Sequence, residues 1–353
     1  MRKTSNMVCL IFFCLCDLLI GVETIEDFSR FDNPKEVRSS GRKIDQWMIK
    51  TTFHPVNKTG YEIITDHTDK TYINVLSKLA NFHGGIVRSV SDFKNFKTKA
   101  CFVAIAPRKL TEQTVLNSWE SLSSLDSDLQ LDAYVSFLYA SDLSGLNALV
   151  ERTIKYQKIT KPKIVGMGTY VDQGERSYGK LNILHKTYKD SFSSIVSTDR
   201  DIKPLDKQTI ARWSPAQPMG TIPHQNSIDE ADILLVFGHG KADRLCGYKV
   251  SVFSNLNLNN KLVMSGSCYS GVKFNSICID RGAIAVYSHL HLNTGFSRLY
   301  PCLENLIKGK SIGQVQQELI NTNLNFVKPN IEKSKKRHLL FVIIGDPALQ
   351  IFY

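Results

Sequence analysis

The sequence predicts an α/β protein in which helices cover both faces of a parallel β-sheet. Short apolar runs alternate along the chain with longer segments whose apolar residues recur at helical spacing. Stretches containing glycine and proline separate these elements. Strands and helices that alternate in this way are typical of parallel sheets, because each connection between parallel strands has to cross the sheet.

The first half of the chain supplies four of the predicted strands. The pair Gly84-Gly85 ends the first predicted helix, and the apolar run that follows it begins a new strand. The predicted elements are, in order, a strand at 61–65, a helix at 72–82, strands at 86–90, 101–105 and 133–138, and a helix at 146–156.

The second half repeats the alternation. Strands are predicted at 164–167, 233–237, 262–264, 283–287 and 339–343, the last closing the sheet, and helices at 181–192 and 311–321. Polar stretches at 157–180 and 203–228 are the predicted joints. We therefore expect two packed α/β subdomains, residues 58–157 and 158–353.

The N-terminal segment resembles a secretory signal peptide. Arg2 and Lys3 form a basic head, an apolar run follows at 8–16, and polar sequence begins at Glu23. We predict a signal peptide at 1–22 and an exposed leader at 23–57, with an uncleaved membrane anchor as the alternative. The predicted location is outside the cytoplasm, either secreted or at the periplasm or cell surface. No later stretch is apolar for long enough to cross a bilayer.

The formal net charge of +11 does not by itself predict nucleic-acid binding. The basic residues are scattered, whereas a nucleic-acid surface gathers them along one face with aromatic residues between them. The densest cluster lies in a polar stretch near the C-terminus, at Lys333, Lys335, Lys336 and Arg337. Nucleic acid is therefore not an expected partner.

Cysteine usage points to a reactive thiol. Of the eight cysteines, three lie in the predicted signal, and five remain: Cys101, Cys246, Cys268, Cys278 and Cys302. An odd number leaves at least one thiol unpaired within the chain. None of the five has the C-x-x-C spacing of a zinc site, and no metal is predicted. A catalytic thiolate would explain the leftover cysteine.

Two apolar strands of the second half lead directly into reactive residues. The strand at 233–237 is followed by Gly238-His239-Gly240, and the strand at 262–264 is followed by a small-residue turn that contains Cys268. Parallel strands bring their carboxyl ends to one edge of the sheet, which is where ligands bind in such folds. The thiol and the imidazole can therefore meet there as nucleophile and base.

Each residue taken singly has a simpler interpretation. A cysteine after a strand is often a small buried hydrophobic residue, and a histidine between glycines is often a polar loop residue. The occurrence of both, each directly after an apolar strand, favours catalysis by Cys268 and His239. Backbone N–H groups of Gly240 and Cys268 are the predicted donors to the oxyanion of a tetrahedral intermediate.

These motifs resemble the caspase-fold cysteine peptidases, and among them the gingipain-type enzymes. The resemblance rests on the 29-residue interval from His239 to Cys268, on Cys268-Tyr269-Ser270-Gly271, and on the closing Gly345-Asp346-Pro347. It implies a caspase/gingipain-like fold and a cysteine endopeptidase that needs no cofactor and whose partners are protein or peptide substrates. One departure follows His239-Gly240, where the family commonly has tryptophan and this chain has the sequence KADRL at 241–245.

The resemblance also places acidic residues near the site. Asp126, Asp128 and Asp132 occupy the region where the family has a histidine-orienting acid or a specificity-pocket acid, and Asp128 is the predicted pocket acid for Arg or Lys. The alternative is a solvated acidic loop. His289 and His291 follow a strand and either line the cleft or lie on the surface. Asp346 is expected to be a turn residue.

Three other functions remain open at this stage. One is asparaginyl specificity, as in legumains. Another is a secreted binding protein that keeps the peptidase scaffold without turnover, because a fold alone does not establish an activity. The third is a basic surface-binding protein, whose binding would fall steeply with added salt.

Overall fold

A computed structural model of the chain describes residues 59–123, 130–168, 194–197, 228–237, 240–245, 248–271, 273–291, 299–326 and 339–353. All of them belong to one unit, residues 53–353, and the other unit, residues 1–52, lies outside the described residues. The predicted signal peptide, the leader and the helix predicted at 181–192 also lie outside them.

The described residues of the first half form four strands and three helices. The strands are β1 (Tyr61–Thr65), β2 (Ile86–Ser89), β3 (Phe102–Ala106) and β4 (Tyr134–Phe137). The helices are α1 (Lys70–Phe82), α2 (Glu112–Leu122) and α3 (Leu143–Lys155). Side chains of Asp69, Thr111 and Asp142 cap the helix N-termini. The predicted elements are confirmed within a few residues, and α2 was not predicted.

The described residues of the second half form nine strands, three helices and a 3-10 helix. Its strands are β5 (Lys163–Gly168), β6 (Ser194–Ser197), β7 (Ile233–Phe237), β8 (Gly240–Lys241), β9 (Arg244–Leu245), β10 (Tyr248–Lys249), β11 (Leu262–Ser265), β12 (Ala285–His289) and β13 (Phe341–Ile344). Its helices are α4 (Phe274–Asp280), α5 (Leu299–Ile307) and α6 (Ile312–Phe326), and a 3-10 helix spans Val250–Asn255.

The described strands form one large sheet and one small one. The large sheet has the order β2-β1-β3-β4-β13-β12-β11-β7-β5-β6, and the small sheet has the order β10-β9-β8. Every neighbouring pair of the large sheet is parallel except β12 and β13, which are antiparallel. The chain is therefore an α/β protein with a mostly parallel, mixed sheet.

Strand β13 is where the prediction was wrong. It was expected to close a parallel sheet, but it lies between β4 and β12 and runs antiparallel to β12. An apolar run predicts a buried strand but does not encode its direction or its neighbours. As a result, the amino ends of β1, β3 and β4 lie at the same sheet edge as the carboxyl ends of β7, β11 and β12.

The core lies on both faces of the large sheet. Every residue of β1, β11, β12 and β13 is buried. Side chains alternate between the two faces of a strand, so a strand that is buried throughout is covered on both. Within the part of the chain that the structure describes, no helix is both long enough and apolar enough to cross a membrane.

Asp346 of the Gly-Asp-Pro motif holds a buried polar cluster together. Gly345 has a φ of 147°, which turns the chain after β13. Asp346, only 1% exposed, accepts a hydrogen bond from the Tyr61 hydroxyl at 2.9 Å through Oδ1, and its Oδ2 lies 2.7 Å from His83 Nε2. Burial, followed by the Asp346 charge, raises the pKa of Tyr61 well above its ordinary value. Asp346 is thus a turn residue that also joins β1, the end of α1 and β13.

Replacing Asp346 should destabilise the fold. Asp346→Ala leaves the Tyr61 hydroxyl and the His83 ring without their acceptor, at a cost on the order of 3 kcal/mol in the free energy of unfolding. Asp346→Asn is the matched control, because it keeps the volume and one acceptor oxygen and should lose less. Urea unfolding followed by circular dichroism measures both, and a loss below about 1 kcal/mol for Asp346→Ala would contradict the role of the cluster.

Candidate active site

The candidate site begins where β7 and β11 end. The two strands are parallel neighbours, with Leu262 opposite Ile233 and Ser265 opposite Val236. The pairing continues past β11, because the Gly266 N–H donates to the Val236 carbonyl at 2.9 Å. The segments that leave these strands therefore start side by side at one edge of the sheet. Gly238 and the predicted base His239 lie outside the described residues, and the description resumes at Gly240.

Gly240 packs directly against the Cys268 backbone. A Cβ atom built on Gly240 would lie 2.0 Å from the Cys268 carbonyl oxygen and 3.0 Å from both Leu245 Cδ2 and Ser267 Cβ. A separation of 2.0 Å from a backbone atom leaves no room for any side chain. Position 240 therefore has to be glycine, and the segment that follows β7 touches the turn that follows β11.

Cys268 lies on a strained turn. Cys268 is half-buried, whereas Ser267 and Ser270 are fully buried. Tyr269, the next residue, has a φ of 51°, a conformation that costs a non-glycine residue about 1 kcal/mol or more. The positive φ of Tyr269 turns the chain at the sheet edge, next to the partly accessible Cys268.

Hydrogen bonds to β12 and its end hold this turn. The Tyr269 N–H donates to the His291 carbonyl at 3.0 Å, and the Gly271 N–H donates to the His289 carbonyl at 2.7 Å. The Ser270 hydroxyl donates to the Ser267 carbonyl and accepts from the His289 N–H, both at 3.0 Å. The turn is thus anchored by a strand that is buried along its whole length.

Four N–H groups around Cys268 take part in hydrogen bonds of the fold. Those of Gly266, Ser267, Tyr269 and Gly271 donate to protein acceptors. These bonds do not test the predicted oxyanion donors, the N–H groups of Gly240 and Cys268, whose role stays a prediction.

The exposure of the other cysteines distinguishes Cys268 from them. Cys101, Cys278 and Cys302 are buried, and burial raises the pKa of all three thiols. A thiol with a raised pKa is a poor nucleophile, because the thiolate is the reactive form. Cys268 is half-buried, and Cys246 lies outside the described residues.

The two histidines after the cysteine occupy different environments. His289 is 3% exposed and its ring lies against the rings of Tyr287 and Phe341. His291 is half-buried, with its ring centroid 5.5 Å from that of Tyr269. Its Nδ1 has no hydrogen-bond partner among the described residues. The ring of His291 therefore borders the Cys268 turn. His289 belongs to β12 and its ring lies in the core, so it neither lines the cleft nor lies on the surface as predicted.

The predicted acids are described only in part. Asp126 and Asp128 lie outside the described residues, and Asp132, 3% exposed, precedes β4. Because β13 runs parallel to β4 and antiparallel to β12, the start of β4 lies at the same sheet edge as Cys268. Three strand spacings separate β4 from β11, which is about 14 Å. The assignment of a pocket acid or an orienting acid stays a prediction.

A cavity of about 380 Å³ lies at the opposite edge of the sheet. Its lining includes Tyr156, Asp229, Asn259 and Lys261, which lie at or before the amino ends of β5, β7 and β11. The buried Lys261 donates to the backbone carbonyls of Asp229, at 2.8 Å, and Ala231, and burial lowers the pKa of its ammonium group. This lysine provides hydrogen-bond donors for the backbone carbonyls of the segment that precedes β7. It lies at the sheet edge opposite Cys268 and has no part in that site. Across the described ranges, no three His, Cys, Asp or Glu residues are placed to hold a metal ion.

Comparisons with known proteins do not identify a family. No protein-family model and no curated protein matches the chain. Three solved structures show weak likeness to it. A D-lactate dehydrogenase with NAD+ from Lactobacillus jensenii has a TM-score of 0.24 at 8% identity, covering 64% of this chain and 77% of its own. A putative two-component response regulator/GGDEF domain protein has a TM-score of 0.19 at 11% identity, covering 64% and 89%.

The third is a 5,10-methylenetetrahydrofolate dehydrogenase from the silkworm Bombyx mori, with a TM-score of 0.18 at 11% identity, covering 71% of this chain and 86% of its own. All three TM-scores are below 0.5, so these likenesses carry no inference about the fold or the function of this chain.

The Gly240 contact can be tested by overpacking it. Gly240→Ala should lower the free energy of unfolding by on the order of 2 kcal/mol, because the new methyl group meets backbone that cannot rotate away. Gly145→Ala, inside α3, is the control. Its new Cβ would meet the Asp280 carboxylate at 2.4 Å, and because that side chain can move away, this variant should lose less. Equal unfolding midpoints in urea for Gly240→Ala and the unmodified chain would contradict the close approach.

Proposed function

We propose that this chain is an exported cysteine endopeptidase with a gingipain-like, caspase-type fold, in which Cys268 is the nucleophile and His239 the base. The observation that carries the proposal is the contact between Gly240 and the Cys268 carbonyl. Gly240 directly follows His239 in the sequence, so its contact with Cys268 supports the pairing of the two residues in one site.

The environment of Cys268 supports its role as nucleophile. It follows a buried strand at a sheet edge, it is half-buried, and the next residue has a positive φ. A nucleophile needs this combination of a rigid support and an accessible sulfur. The buried thiols of Cys101, Cys278 and Cys302 lack the access that a peptide requires.

The proposed reaction uses the protein and water alone. His239 takes the thiol proton, and the Cys268 thiolate adds to the carbonyl carbon of the scissile peptide bond. The oxyanion is stabilised by the N–H groups of Gly240 and Cys268. The C–N bond then breaks as His239 returns the proton to the leaving amine, and water hydrolyses the thioester to release the acid and restore the thiol. Cleavage after Arg or Lys, through Asp128, is the proposed specificity.

Replacement of the two residues tests the mechanism. Cys268→Ala should abolish cleavage of a peptide library, and His239→Ala should lower kcat by about a hundredfold or more, since base assistance typically contributes that much. Cys101→Ala and His67→Ala are the controls, because they remove a thiol and a half-buried imidazole from other places. Turnover retained in Cys268→Ala would refute the nucleophile.

Labelling separates an enzyme from a binding protein on the same scaffold. In an enzyme, alkylation of Cys268 by iodoacetamide, followed by mass spectrometry, should slow at least tenfold in His239→Ala, because the thiolate loses its proton acceptor. Equal labelling rates in the two proteins, with no cleavage of any library peptide, would favour the binding protein.

A further inference from the structure

The small sheet that follows Gly240 has two chemically different faces. Its register pairs Gly240 with Leu245 and Leu245 with Tyr248, and it pairs Lys241 with Arg244 and Arg244 with Lys249. Residues directly opposite each other in an antiparallel sheet project to the same side. The sheet therefore carries one row of Gly240, Leu245 and Tyr248 and, on its other side, one row of Lys241, Arg244 and Lys249, here called the cationic row.

The first row faces the protein and the cationic row faces solvent. Leu245 and Tyr248 are 0% and 1% exposed, and Gly240 lies against the Cys268 carbonyl. All three residues of the cationic row are exposed. The face that bears the positive charges is thus the outer surface of an element whose inner surface touches the candidate nucleophile.

Repulsion between its positive charges means that the cationic row does not stabilise the small sheet. Like charges directly opposite each other destabilise a sheet, and here two such pairs share Arg244. The sequence from 240 to 249 has a single acidic residue, Asp243, whose carboxylate is 3.9 Å from Arg244 Nε in a well-exposed pair. Neither Lys241 nor Lys249 has an ion pair among the described residues.

Protection of sheet edges explains only part of the pattern. Lysine on an edge strand discourages pairing with other chains, which would account for Lys241 on β8 and Lys249 on β10. It does not account for Arg244, because β9 is the middle strand. Three parallel cationic side chains on one face match an anionic ligand instead.

We infer that the cationic row binds acidic side chains of the peptide substrate, at positions away from the scissile bond. This inference rests on the proposed endopeptidase function and adds a substrate class to it. Lys241 follows Gly240, which lies against the Cys268 carbonyl, and the row crosses three strands. With a Cα step of about 3.8 Å and strands about 4.8 Å apart, the row extends to on the order of 10–15 Å from Cys268, and an extended peptide advances about 3.3 Å per residue. The acidic residues should therefore lie three to five residues from the cleaved bond.

The experiment compares paired peptides on the full chain. Each pair carries Asp or Asn at positions three to five residues from the cleaved bond, on either side. The unmodified chain should cleave one Asp peptide with a kcat/KM roughly tenfold higher than its Asn partner, mainly through KM, as a few exposed ion pairs together would provide. The advantage should shrink as salt is raised from about 0.05 to 0.5 M, since the charges are exposed.

Charge-neutral variants locate the effect. The triple variant Lys241→Gln, Arg244→Gln, Lys249→Gln should cleave the Asp and Asn peptides equally while keeping its rate on the Asn peptide. The matched control Lys94→Gln, Lys99→Gln, Lys109→Gln removes the same charge from exposed positions elsewhere and should keep the preference. If the triple variant does not fold, as judged by circular dichroism, Arg244→Gln alone should halve the preference or reduce it further.

A binding measurement separates this inference from the proposed function. In the Cys268→Ala chain, fluorescence anisotropy should show tighter binding of the Asp peptide, and the triple substitution should remove the difference. Binding that depends on the cationic row without turnover in the unmodified chain would refute the peptidase and keep the anion site. Turnover with no difference between Asp and Asn peptides would overturn the anion site and keep the peptidase. Row-dependent binding to anionic lipid vesicles or to single-stranded DNA, with no Asp preference, would also overturn it.

Discussion

The close approach of Gly240 to the Cys268 carbonyl is the constraint on which the candidate site depends. Side chains usually separate neighbouring loops and can adjust to one another, but here backbone meets backbone. The register of β7 and β11 fixes the starting points of the two segments, and the absent side chain at 240 lets them meet within a few residues. The geometry of the site is therefore set by the sheet and only then by its side chains.

The strain at Tyr269 is opposed by the same sheet. Its positive φ persists because the Tyr269 and Gly271 N–H groups and the Ser270 hydroxyl, all after Cys268, bind β12 or His291 just beyond it, and β12 is buried at every position. Strand β13 determines which ends of the first-half strands lie near Cys268. It runs parallel to β4 and antiparallel to β12, so the amino end of β4, with Asp132 before it, lies at the sheet edge where Cys268 lies.

Sequence patterns predicted the elements that bury long apolar runs, and they failed where the run is short or its direction matters. The strand at 233–237 was predicted residue for residue, because a run of five apolar residues has the length of a buried strand and is too short for an ordinary helix. Strands β8, β9 and β10 have two residues each, too few to show a period. The position of β13 depends on its neighbours, which no local pattern contains. For the site, the sequence located Cys268 at a strand end, but the Gly240 contact and the positive φ of Tyr269 depend on tertiary structure.

The two faces of the small sheet separate the two proposed roles within ten residues of chain. Leu245 and Tyr248 are buried and Gly240 packs against the Cys268 carbonyl, so a substitution at position 240 would disturb the turn itself. The cationic row lies on the opposite face and is exposed, and its one ion pair among the described residues is the exposed contact of Arg244 with Asp243. Its charges can change without moving Cys268, because adjacent residues of a strand project to opposite faces. The proposed selection of substrates by charge and the placement of the Cys268 thiol can therefore vary independently, although the same short strands carry both.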